Sequence, residues 1–164
     1  MSGSLARAGV REIALAALLV VAGISGAGAQ TPFQTLAGSW SGSGQIKLDN
    51  GKSEALKCRA FYTQKEAETL GLAIRCASAS NKIELRANLS DNGGNIDGSW
   101  EERTFNAAGT VKGRVSSGRI NLTITGGAFS GSMHVSVGGE RHSVSIETNG
   151  IGLRAVSINL SRNS

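Results

Sequence analysis

Three glycine-bearing dipeptides, Gly126-Gly127, Gly138-Gly139 and Asn149-Gly150, punctuate the stretch 119–153, and the runs between them alternate apolar and polar residues. Two-residue hairpin turns favour Gly or Asn at their centre, because types I′ and II′ need positive φ, where most side chains clash. Centring a turn on each pair predicts a register. Ile124 faces Phe129, Met133 faces Val144, Val135 faces His142 and Ile146 faces Leu153. One face of each strand is then apolar, and the other carries Thr123, Ser132, His134, Ser136, Ser143 and Ser145, so it is wet.

The same reasoning extends towards the N-terminus. At Asp49-Asn50-Gly51 a three-residue loop, with Gly51 left-handed, pairs Gly44 with Leu56 and Gly42 with Cys58 and keeps one apolar face. A turn at Asn92-Gly93 sets Leu89 against Ile96, Ala87 against Gly98 and Leu85 against Trp100; one at Ser117-Gly118 sets Val115 against Ile120. In the last strand Leu153 and Ala155 share one parity while Val156, Ile158 and Leu160 show the other, which predicts a bulge near Ala155.

This pattern predicts an all-β fold, an antiparallel up-and-down meander of about eight to ten short strands. A single proline and no helical period support it. Such a sheet must dispose of its edges, which favours a closed small barrel over the alternative, a two-sheet sandwich. Gly42, Gly44, Gly98, Gly113 and Gly131 all fall on the inner phase, where they permit strong coiling or leave interior room. An outer-membrane barrel would invert the faces and force Lys57, Arg59, Arg75, Arg86, Arg114 and Arg141 into a narrow lumen, so the apolar face is expected inside.

Arg7 and Arg11 precede an apolar run, residues 13–24, followed by small residues ending Ala27-Gly28-Ala29. That layout predicts a signal peptide over residues 1–29, an N-terminal arm over 30–35 and one barrel domain over 36–164. The product is expected to be periplasmic or extracellular, with no membrane span in the mature chain. Without Arg7, Arg11 and Glu12 the chain keeps 15 basic and 11 acidic residues, a mild +4. Dispersed charge and few aromatics speak against nucleic acid; the excess reads as a solvated basic surface that keeps the protein in solution, with a weak contact with an anionic envelope surface as the alternative.

Cys58 and Cys76 are the two cysteines of the chain. If the chain reverses near Ala67, Cys58 faces Cys76, Ala60 faces Ile74 and Tyr62 faces Leu72, which predicts a disulfide between adjacent strands. His134 and His142 fall on opposite faces and cannot share a metal ion, and nothing in the sequence asks for a cofactor. Glu54, Glu102 and His142 are the ionisable residues on the inner phase, expected at barrel ends near water. Glu102, two residues beyond Trp100 and opposite Ile83, marks a candidate ligand mouth. Trp40, Tyr62, Trp100, Glu102 and His142 form the candidate ligand-binding set.

Leu36-Ala37-Gly38-Ser39-Trp40 resembles the Gly-x-Trp opening of calycins, the superfamily of lipocalins, avidins and similar barrels. It is also similar to the opening of the periplasmic inhibitors of secreted metalloproteases. The resemblance implies that Trp40 closes one barrel end beneath an arginine from a late strand, Arg154 or Arg162. It does not extend to the lipocalin Thr-Asp-Tyr motif or to the aromatic cage of avidins. The expected function is an exported, non-enzymatic binding protein for a small apolar ligand. The alternative is an interaction module, such as a protease inhibitor or envelope-associated factor, acting on an exported protein partner through the arm 30–35.

Overall fold

A computed structural model describes residues 31–150 and 152–164; the expected signal peptide, Gln30 and Ile151 lie outside the described residues. A one-turn helix, α1 (Pro32–Leu36), precedes ten strands: β1 (Gly38–Leu48), β2 (Ser53–Glu66), β3 (Thr69–Ala77), β4 (Lys82–Asn92) and β5 (Asn95–Glu102), then β6 (Ala107–Ser116), β7 (Arg119–Gly126), β8 (Phe129–Gly138), β9 (Arg141–Asn149) and β10 (Leu153–Arg162). Each strand pairs antiparallel with its neighbours in sequence, and β10 returns to β1, so the sheet closes into a barrel with no free edge. The closure decides against the sandwich.

Alternation places Leu56, Ile74, Leu89, Ile96, Ile120 and Val144 inside and serine, threonine and charge outside. Burying one such aliphatic side chain stabilises by about 1.5–3 kcal/mol. The apolar face thus points inward, as the charge argument required. No helix among the described residues is long and apolar enough to cross a membrane.

Several registers stand where the sequence put them. Gly51 has φ +81°, and Gly44 faces Leu56 as Gly42 faces Cys58. Cys58 faces Cys76, Ala60 faces Ile74 and Tyr62 faces Leu72. Ser117 and Gly118 both take positive φ, and Val115 faces Ile120.

Three hairpins are displaced by two residues. Leu89 faces Gly98 and Ala87 faces Trp100, so Leu85 meets Glu102 rather than Trp100, and Ile83 is not the partner of Glu102. Ile124 faces Gly131, Met133 faces Ile146 and Val137 faces His142. In the first of these the turn uses Gly93-Gly94, both at positive φ, instead of Asn92-Gly93. A slip of two preserves the inward parity, so the hydrophobic pattern cannot detect it. The predicted pairing of Ile146 with Leu153 also fails: Ile146 faces Val156 across a longer connection in which Gly150 and Gly152 are left-handed. The parity change is absorbed in β10, where Lys47 faces Ala155 but Leu48 faces Leu153, a bulge at the expected place.

Gly42 and Gly44 sit at the β1–β10 seam that closes the barrel. A Cβ on either would lie 1.9 Å from a backbone carbonyl oxygen of β10, that of Asn159 or Ser157. Close backbone approach, rather than spare interior room, is what these two glycines provide.

Candidate functional site

The segment 30–35 is not a free arm from Thr31 onwards. Thr31 caps α1 with its hydroxyl accepting from the Gln34 amide, the Gln34 side chain accepts from the Thr31 amide in return, and Pro32 fixes the first turn. Five residues could not hold a helix alone; burial of Phe33 and Leu36 under the barrel end does so. Beneath them the Trp40 indole donates to the Leu36 carbonyl at 2.7 Å. Arg162 lies over the Trp40 ring and donates to the carbonyls of Ala37 and Thr35. Of the two arginines implied by the calycin resemblance, Arg162 takes the part, while Arg154 is exposed.

Tyr62 and His142 complete this closed end. The Tyr62 hydroxyl and His142 Nε2 are 2.9 Å apart, and His142 meets Trp40 edge-on with ring centroids 4.5 Å apart. His142 is 3 % exposed, and its Nδ1 has no hydrogen-bond partner. Burial, then the nearby Arg162 charge, holds its pKa down at about 4. Burial pushes the Tyr62 phenol up. His134, by contrast, is exposed on the outer face and bonds Asn121 at 2.7 Å, so the two histidines are on opposite sides of the sheet.

Trp100 and Glu102 lie at the other end. The five predicted residues therefore divide into a closed end, Trp40, Tyr62 and His142, and an open end, Trp100 and Glu102. Here an apolar cavity of about 80 Å³ is walled by Ile74, Ile83, Leu85, Trp100, Phe129 and Ile158, with Cys76, Ile124, Ile146, Leu153 and Val156 completing its apolar lining. Trp100 packs edge-on against Phe129, centroids 5.0 Å apart, and donates to the Thr125 carbonyl. Two polar side chains line the space, Glu102 and Thr148, and both are engaged. Glu102 accepts from the amides of Glu84 and Phe105, each at 2.6 Å, and the Thr148 hydroxyl donates to the Leu153 carbonyl. Nearby, Glu54 accepts from Ser78 and Ser80, which hold its carboxyl at about 2.

Sequence reasoning missed Phe129, Ile146 and Thr148 as cavity residues. All three had the inward parity, and the available signal was their place near the strand ends opposite α1.

The architecture is a closed, ten-stranded antiparallel barrel in which every strand pairs with its sequence neighbours. Crystallised Rv2717c from M. tuberculosis is similar in fold, at 14 % identity and a TM-score of 0.61 over 79 % of this chain and 94 % of that one. The S-type phycobiliprotein lyase CPES from Guillardia theta is similar at 12 % identity and a TM-score of 0.57, over 80 % and 90 % of the two chains. No protein-family model matches the sequence, and no curated protein matches it.

Proposed function

We propose that this is an exported, non-enzymatic barrel that holds a small apolar molecule, or the apolar end of a larger one, in the cavity opposite α1. The observation that carries the reading is the chemistry of the cavity wall. Its polar groups, on Glu102 and Thr148, already hold backbone partners, so the wall has no free side-chain donor to offer and selects chiefly by shape and apolarity. The space is well below the roughly 300–1,000 Å³ of drug-sized pockets. A slim chain or a small ring suits it, with any polar part left in the mouth beside Phe105.

Export is supported by the disulfide, which persists in oxidising compartments. Catalysis is disfavoured because the buried ionisable groups have structural partners: Glu102 holds two backbone amides and His142 bonds Tyr62 inside the closed end. The inhibitor-like alternative loses its free arm, since Phe33 and Leu36 are buried.

Native mass spectrometry of protein isolated from its own envelope tests the reading. An apolar adduct lost on gentle activation, at one per chain, is the expected result. An unliganded chain that also takes up no fatty acid or alkane on titration would contradict it.

A further inference from the structure

The outer wall of β1–β4 carries a second feature, independent of the interior. Alternation sends Lys57, Arg59 and Phe61 of β2 outward, and the register aligns them in rows across the neighbouring strands. Ser43, Lys57, Ala77 and Lys82 form one row; Ser41, Arg59, Arg75 and Glu84 the next; Ser39, Phe61, Ala73 and Arg86 the third. Serines and alanines make a low floor between long basic side chains, and the result is a groove of about 760 Å³.

Its charge is unbalanced. Arg59 and Arg75 stand directly opposite one another, an arrangement that destabilises a strand pair. Glu84 is the acidic residue in the groove, and one of its oxygens is shared by three guanidiniums, Arg75 at 3.6 Å, Arg86 at 3.3 Å and Arg103 at 3.8 Å. Of the other acids on adjoining elements, Glu101 faces Arg86 at the far edge, and Glu54 is held by Ser78 and Ser80. Among the described residues Lys57, Arg59 and Lys82 make no ion pair, and the Arg86 Nε lacks a partner. Phe61 is 45 % exposed in the same groove.

We propose that this groove binds an acidic glycan chain, with carboxylates on Arg59, Arg75, Lys57 and Lys82, a sugar hydroxyl on Ser43, and one sugar face against Phe61. Charge complementarity selects an anion, because a bound carboxylate relieves the Arg59–Arg75 repulsion. The shape selects a chain: a groove recessed between side chains on a convex wall admits a strand, whereas a flat bilayer would touch only their tips. The Ser43 hydroxyl and the exposed ring suit a sugar polymer better than a bare polyanion.

Calorimetric titration of the full mature chain with an oligogalacturonate tests this. Binding that weakens steeply with salt is expected, because the contacts are exposed charges. Replacing Arg59 and Arg75 together by serine should weaken it about tenfold or more, the loss of at least one charge-assisted contact. Replacing Lys112 and Arg114 of β6, which removes the same charge from another part of the wall, should change it by less than about twofold. Phe61→Ala should cost about two- to tenfold through lost stacking on the sugar. Absence of binding at low salt, equal losses in the two double variants, an unaffected Phe61→Ala, or tighter binding to phosphatidylglycerol vesicles than to the glycan would each overturn the proposal. None of these results depends on whether the interior holds a ligand.

Discussion

The Arg162 guanidinium lies 4.2 Å from the centroid of the Trp40 ring, while its Nη1 and Nη2 reach the carbonyls of Ala37 at 2.8 Å and Thr35 at 2.5 Å. One side chain from the last strand thus fastens α1, the first strand and the barrel end together. Arg162→Ala should destabilise the fold by about 2 kcal/mol, from lost cation–π contact and charge-assisted bonds. Arg162→Lys should restore little, because an ammonium cannot stack and fork at once. Urea unfolding gives the energy, and a red shift of Trp40 emission reports the loosened end.

Acid should weaken the fold in two windows. His142 titrates near 6.5 when unfolded and about 4 when folded. Between those values the unfolded chain binds a proton that the folded chain refuses, so stability is full above about pH 6.5 and falls as pH drops towards 4. The full effect is about 3 kcal/mol. Glu54 acts lower: its carboxylate, held at about 2 by Ser78 and Ser80, contributes above pH 4.5 and is lost as pH falls through about 2. Urea midpoints across this range check both, and His142→Gln should flatten the upper window alone.

Closure of the barrel depends on the absence of a side chain at Gly42. Gly42→Ala places a Cβ 1.9 Å from the Asn159 carbonyl oxygen and should cost at least about 2 kcal/mol as the seam is forced apart. Gly139→Ala, at a turn where an added Cβ meets nothing within 4 Å, should stay within about 0.5 kcal/mol of the parent. Comparing the two melting curves separates a close-approach role from a general cost of replacing glycine.

Cys58 and Cys76 are bridged, their Cα atoms 4.1 Å apart and 18 residues apart in the chain. Protein from its native compartment should show no reactive thiol when denatured without reductant. Reduction should lower stability by about 3 kcal/mol in the loop-entropy description. Two reactive thiols per chain would show that the bridge does not form there.

Parity was readable along the strands except at Ala155, expected inward but paired with the outward Lys47 and Glu147, and absolute register was readable where the competing turns differed by one residue, so that parity could choose between them. Ser117-Gly118 and the Asp49-Asn50-Gly51 loop fixed Val115 against Ile120 and Gly44 against Leu56, and the reversal near Ala67 fixed Cys58 against Cys76. Where two glycines or a Gly-bearing pair offered adjacent solutions, as at Gly93-Gly94, the ladder slipped by two with every apolar residue still inside. The site was harder to read because its members are brought together by barrel closure. Tyr62 and His142 are 80 residues apart in sequence, and their contact exists only once β10 meets β1. The short α1 lacked a helical period long enough to read; its Thr31-Pro32 start and Gln34 were the available signal.

Methyl NMR of the protein with labelled Ile, Leu and Val, titrated with a medium-chain fatty acid, tests for an apolar ligand in the open-end cavity. Saturable shifts at one ligand per chain are expected, confined to cavity methyls such as Ile74, Ile83, Leu85, Ile146 and Ile158. Methyls towards the α1 end, Leu70, Ile96 and Ile120 among them, should not move. Shifts that do not saturate, or that spread over both ends alike, would contradict it.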